Sequence, residues 1–163
     1  MSLLREKNRK TEVLFWSIAL PGFGQLLNRS YMKAFILIAL EFVINVKGKL
    51  NVVIVHSFLG EIQAAIDTAD YLWVMFYPCV YLFAIWDAYR DAGGGENVFM
   101  YMPFVISAYF GTLGVIYSAR IKLFGYLLGP IFLPIITMIL GFIIGLLMRR
   151  IMVIYYNKLR NEK

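Results

Sequence analysis

Residues that build catalytic and metal centres are scarce in this sequence. Its 163 residues include one cysteine and one histidine. A lone Cys79 allows no internal disulfide, and with a lone His56 it leaves no thiolate or imidazole cluster for a metal. Asp67 and Asp70 do not stand at metal spacing from His56, which reads as a solvated or interfacial side chain. There is no Ser-His-Asp grouping, H-E-x-x-H, phosphate loop or dinucleotide glycine pattern. No metal, no cofactor and no enzymatic activity is therefore expected. Charge is also sparse: Asp, Glu, Lys and Arg make up 16% of the chain, with ten acidic and sixteen basic residues. The basic residues crowd the two ends, as Arg5, Lys7, Arg9 and Lys10 and as Arg149, Arg150, Lys158, Arg160 and Lys163. An apolar stretch adjoins each cluster, so they read as membrane topology signals and not as a nucleic-acid surface.

What the chain has in place of charge is apolar sequence. Hydrophobic residues make up 61% of it, against about 45–50% in average soluble domains, and the mean hydropathy is +0.70. The expected fold is an all-α integral membrane protein of one domain, with four transmembrane helices and an N-terminal re-entrant or interfacial broken helix. Residues 1–12 form a basic cytoplasmic end and 13–27 the broken segment. The spans are 31–48, 71–88, 98–118 and 127–148, and a basic tail follows over 149–163. Between the first two spans, 52–60 is apolar but too short to cross. Residues 61–70 carry Glu61, Asp67 and Asp70 at helical spacing, as an amphipathic helix outside the core would. Asp91 to Asn97, DAGGGEN, reads as a loop, and Pro78 as a kink in the second span.

The broken segment organises the rest. The stretch 13–27 is free of charge, but as a helix it rises only ~22 Å, short of the ~30 Å hydrocarbon core. Pro21 removes an amide donor, and Gly22 and Gly24 weaken the helix further. Broken backbone is tolerated at membrane depth only under a protein cover or beside a wet cavity. Later helices must therefore pack over Pro21, Gly22, Gly24 and Gln25. If 13–27 returns to its own side, twelve basic residues share one face and four the other. If it spans, the split is eight against eight. The Lys/Arg bias favours the first arrangement, with both termini cytoplasmic.

Four constellations carry possible chemistry. Glu41 lies mid-span, where acidic groups are costly and face a partner or a cavity. Asn45 shares its helix face at i+4, and equal depth brings Tyr77, Tyr81, Ser107 and Thr137 level with Glu41. Such a layer is either packing glue, with Glu41 bonded to a tyrosine, or a proton or cation site. Asp87 and Arg90, at i and i+3, form either an interfacial ion pair or an anchor in which Asp87 accepts from amides freed at 21–24. Gly141 and Gly145 form G-x-x-x-G in the last span, and Ser107 and Gly111 a small-x-x-x-small pair in the third. Both suit close packing of these two spans more than dimerisation. Trp16, Trp73 and Trp86 fit interfacial belts.

The residues Pro21-Gly22-Phe23-Gly24-Gln25-Leu26-Leu27-Asn28, then Lys33-Ala34, then Trp86-Asp87-Ala88-Tyr89-Arg90, resemble the small bacterial membrane proteins of the two-transmembrane-segment domain family. The usual pattern there is P-G-x-G-Q or P-G-x-G-H, an aromatic, a polar turn, K-G, and a span ending near an aspartate. Leu27 stands where tyrosine is usual and Ala34 where glycine follows lysine. The likeness covers about a fifth of the chain. It implies a helical hairpin with a broken leading segment, in the bacterial cytoplasmic membrane, and no general enzymatic activity. The expected function is a non-enzymatic accessory or scaffold subunit, partnered by membrane lipids and other membrane protein subunits. The alternatives are a small transporter or ion-conducting subunit using Glu41, and a membrane-embedded lipid-modifying enzyme.

Overall fold

A computed structural model describes residues 2–161, with side chains from Asn8 onward. The expectations for Arg5, Lys7 and Lys163 fall outside the described side chains. The fold is all-α. Helix α1 (Ser2–Ala19) is followed by a turn at Pro21 and Gly22 and by the short α2 (Phe23–Leu27). Long helix α3 (Tyr31–Gly48) leads to α4 (Leu50–Phe58) and α5 (Ile62–Thr68). A single turn, α6 (Tyr71–Val74), precedes α7 (Tyr77–Tyr89). Then come α8 (Met102–Tyr117) and α9 (Gly129–Asn161), joined by a small hairpin of β1 (Lys122–Leu123) and β2 (Tyr126–Leu127).

Several boundaries differ from the sequence expectation, each for a local reason. No break separates 1–12 from 13–27: α1 runs on to Ala19, because nothing before Pro21 interrupts it. The span over 71–88 is not one kinked helix. It is broken at Met75 and Phe76, and Pro78 sits in the first turn of α7, where its missing N–H costs nothing. Thr112 donates to the Met75 carbonyl at that break. The expected loop 91–97 starts as a helical extension, a π turn at Arg90–Gly94 that ends where Gly93 takes φ 90°. The third span begins at Met102 instead of 98, with Pro103 in its first turn. The fourth continues through Arg149 and Arg150 without a break, so the basic tail is the end of α9. The β-hairpin was not foreseen; Phe124 and Gly125, both at positive φ, make its turn.

The helices run up and down. The start of α3 meets the end of α7 through Lys33 and Asp87, so α3 and α7 are antiparallel. Phe104 near the start of α8 packs on Leu82 and Ile85 of α7. Helices α8 and α9 pack along their whole common length. A Cβ on Gly145 would lie 2.5 Å from Pro103 Cα, and one on Gly141 would lie 2.9 Å from Ser107 Cα. The glycine pair therefore serves internal packing. One end of the bundle gathers Arg29, Lys33, Arg90, Arg149 and Arg150. The other gathers Lys47, Lys49, Arg120 and Lys122, with α5 and the β-hairpin. Buried residues between the ends form two apolar clusters: Leu50, Val74 and Val115, and Leu82, Ile85 and Phe104.

The outside of the bundle is apolar. Phe35, Phe42, Phe83, Tyr109 and Ile139 are each more than half exposed. Two stretches, Tyr71–Gly94 and Gly129–Asn161, are long and apolar enough to cross a membrane. Only 39% and 22% of their most apolar windows are buried, which is unlike the core helix of a soluble protein.

Candidate functional site: a polar clamp at the basic end

Helices α1 and α2 form a tight helical hairpin against α7. Helix α1 comes in from the basic end, and its Leu14 packs on the Leu82–Ile85–Phe104 cluster. It reaches the level of Tyr81, whose hydroxyl donates to Ile18 O at 2.7 Å. The chain then reverses. Gln25 returns to the level of Ala84 and Asp87, and Asn28 to that of Ala88. The hairpin thus starts and finishes at the same end.

Glycine is required at both turning points. Gly22 holds φ 98°, and a Cβ there would lie 2.6 Å from Ile38 Cγ1. A Cβ on Gly24 would overlap the Ser17 hydroxyl and lie 2.7 Å from Ala88 Cβ. The Ser17 hydroxyl itself is spent on Val13 O at 2.8 Å.

The centre of the clamp is Asp87, with 4% of its side chain exposed. Its Oδ2 accepts from Gln25 Nε2 at 3.2 Å. Its Oδ1 accepts from Lys33 Nζ and from Arg90 at 2.8 Å each. Lys33 also pairs with Asp91 at 2.7 Å. Gln25 is fully buried and donates to Ala84 O at 2.9 Å, and Asn28 Nδ2 donates to Ala88 O at 2.8 Å. The anchor is therefore a set of side chains. Of the two expected arrangements, the Asp87–Arg90 pair forms, and the capping of amides freed at 21–24 is corrected: the carboxylate is taken by side chains, and the Phe23 amide goes to Leu20 O at 3.2 Å. Lys33 and Asp91 went unassigned in the sequence, although Lys33 belongs to the resemblance pattern.

Glu41 is buried on α3 and faces the Tyr77 hydroxyl of α7. Among the described residues its Oε2 has no hydrogen-bond partner, as is also true of Gln25 Oε1 and Asn28 Oδ1. Of the wider polar layer, only the two tyrosines come near Glu41. Tyr81 stacks on Tyr77 at 5.6 Å but gives its hydroxyl to α1. Ser107 donates to Met138 O at 2.8 Å, and Thr137 to carbonyls of its own helix. Asn45 turns to Asn51 across the α3–α4 break, 3.2 Å away. Tyr81 and Ser107 each reach a backbone carbonyl of a neighbouring helix and Thr137 carbonyls of its own, so none of the three gives its hydroxyl to Glu41. His56 pairs with Glu61 at 2.6 Å at an exposed helix end. Among the described residues, no three of His, Cys, Asp and Glu stand close enough to hold a metal ion.

No protein family, curated protein or solved structure matches the chain.

Proposed function

We propose that this chain is a four-span protein of the bacterial cytoplasmic membrane and acts as a non-enzymatic accessory or scaffold subunit of a larger membrane assembly. The spans are α3, α6 with α7, α8, and the first two-thirds of α9; α1 and α2 are a re-entrant hairpin. The apolar flanks and the bias of basic residues to one end support that arrangement and put both termini on the cytoplasmic side. The same-end hairpin supports kinship with the two-transmembrane-segment domain family, whose motif residues are the ones that make the clamp.

One observation carries the functional reading. The densest polar constellation, Asp87 with Gln25, Lys33 and Arg90, is spent on holding one part of the chain to another. These groups set a shape, and a defined shape with apolar flanks is what a scaffold offers to neighbouring subunits and lipids. Purification in mild detergent, with mass spectrometry of what co-purifies, tests it. A stable protein partner in stoichiometric amount is expected, and a lone monomer with Glu41-dependent flux overturns it. Cysteine labelling tests the topology: a cysteine at Asn51 should react from outside, and one at Asn28 should not.

The transporter reading keeps one observation of its own. A buried carboxyl oxygen with no partner is the feature of a proton or cation site.

A further inference from the structure

We propose that the bundle holds a single hydrocarbon chain of a membrane lipid in a lateral groove between α1, α4, α7, α8 and α9. This rests on the membrane reading above. The groove has a volume of about 600 Å³ and is lined by Ile54, Tyr77, Tyr81 and Ser107, with Pro130 and Ile143 of α9 at its two ends. Its lining is mostly apolar and carries three hydroxyls. Two of them donate inside the protein, Tyr81 to Ile18 O and Ser107 to Met138 O, and that of Tyr77 faces Glu41. An occupant finds few groups to bond, and water is a poor one, since it needs two to four polar partners.

Size separates a lipid chain from a partner helix. Thirteen residues of α9 separate the two ends, a rise of ~20 Å. One leaflet contributes about half of the ~30 Å hydrocarbon core, or ~15 Å, so a single chain fits the length. A helix ~10 Å wide over that length would need roughly 1,600 Å³, well over twice the space present. Spread over ~20 Å, about 600 Å³ is a cross-section of roughly 30 Å², well under the ~80 Å² of a helix ~10 Å wide. A single extended acyl or prenyl chain suits such a channel. Pro78, Pro130 and Pro134 line it with short rings that offer no side-chain donor or acceptor.

The test uses the full chain reconstituted into phosphatidylethanolamine–phosphatidylglycerol vesicles doped with a phospholipid carrying a diazirine at its chain end. After irradiation, adducts are mapped by peptide mass spectrometry. The expected result is a several-fold excess of adducts on the groove helices over the bilayer-facing stretch around Phe35 and Phe42 of α3. Ile54→Trp, which fills the groove, should remove that excess, while Phe35→Trp on the outer face should leave it. Equal labelling of groove and outer face in the unsubstituted protein means annular lipid only and overturns the proposal, whatever the variants do. A groove protected from label overturns it too, in favour of a protein occupant. Failure of the chain to float with vesicles at all sinks the membrane reading itself, and is distinguished by the flotation step before irradiation.

Discussion

Replacing Asp87 by alanine tests the clamp most directly. Removing one partner of a buried ion pair costs about 3–5 kcal/mol when the other charge is left stranded. Here it is not. Lys33 and Arg90 are 45% and 47% exposed, and both keep Asp91, at 2.7 and 3.4 Å. Each lost ion pair is therefore screened and counts for ~1 kcal/mol or less. Gln25 keeps Ala84 O but loses a buried bond, at about 1 kcal/mol. The expected loss is ~2–3 kcal/mol, or roughly 5–10 °C in the thermal midpoint for a chain of this size. Asp87→Asn keeps the volume and one acceptor, and should lose about half as much. Because Asp87 joins α7 to the hairpin, the loss should be local first. A cysteine at Asn28, poorly reactive in the parent, should label faster in Asp87→Ala before global unfolding begins. The assay pairs thermal unfolding in detergent with labelling rates. An unchanged midpoint together with unchanged labelling would refute the clamp as the holder of the hairpin. A Gln25→Ala, Asp87→Ala double cycle should show coupling of at least ~0.5 kcal/mol, since the side chains touch.

Three further outcomes are expected. Gly24→Ala should cost more than ~1–3 kcal/mol, the usual price of overpacking, because the added methyl meets both the Ser17 hydroxyl and Ala88; Gly60→Ala, with nothing within 4 Å, should lose only the ~1–2 kcal/mol of holding an L residue at φ +80°, and thermal midpoints compare the two. Glu41→Gln should leave the midpoint nearly unchanged, as membrane polar pairs average only ~0.6 kcal/mol, while Glu41→Leu should cost more because Tyr77 loses its partner; loss of function in the Gln variant at normal abundance, read by complementation of a deletion strain, would instead favour a proton or cation role. Replacing Arg149, Arg150, Lys158 and Arg160 with glutamine should weaken association with anionic vesicles, at about 1 kcal/mol per charge near the surface, in a flotation assay across salt concentrations.

The sequence alone determined the class of the protein and the location of its organising segment. Apolar excess, sparse charge and basic ends are sums over many residues, so no single contact could reverse them. Pro21, Gly22 and Gly24 act on their own backbone, through a missing donor and a positive φ. The reversal there was legible without knowing the neighbours. The same holds for α3 over 31–48 and for the close approach at Gly141 and Gly145, where a missing side chain is itself the signal.

Tertiary structure decided which polar groups meet. Asp87 could bond backbone amides or side chains, and both fit the spacing. The choice fell to Gln25, Lys33 and Arg90 because packing α2 and α3 against the end of α7 brings those side chains to the carboxylate. Glu41, Tyr77, Tyr81, Ser107 and Thr137 stand at equal depth, yet depth counts only position along the axis. Rotation of each helix sent the Tyr81 hydroxyl to Ile18 O and those of Ser107 and Thr137 to other carbonyls, and left the Tyr77 hydroxyl facing Glu41. The groove could not be read at all, since its volume is what five helices fail to fill, and a one-dimensional pattern holds no record of space left empty between elements distant in sequence.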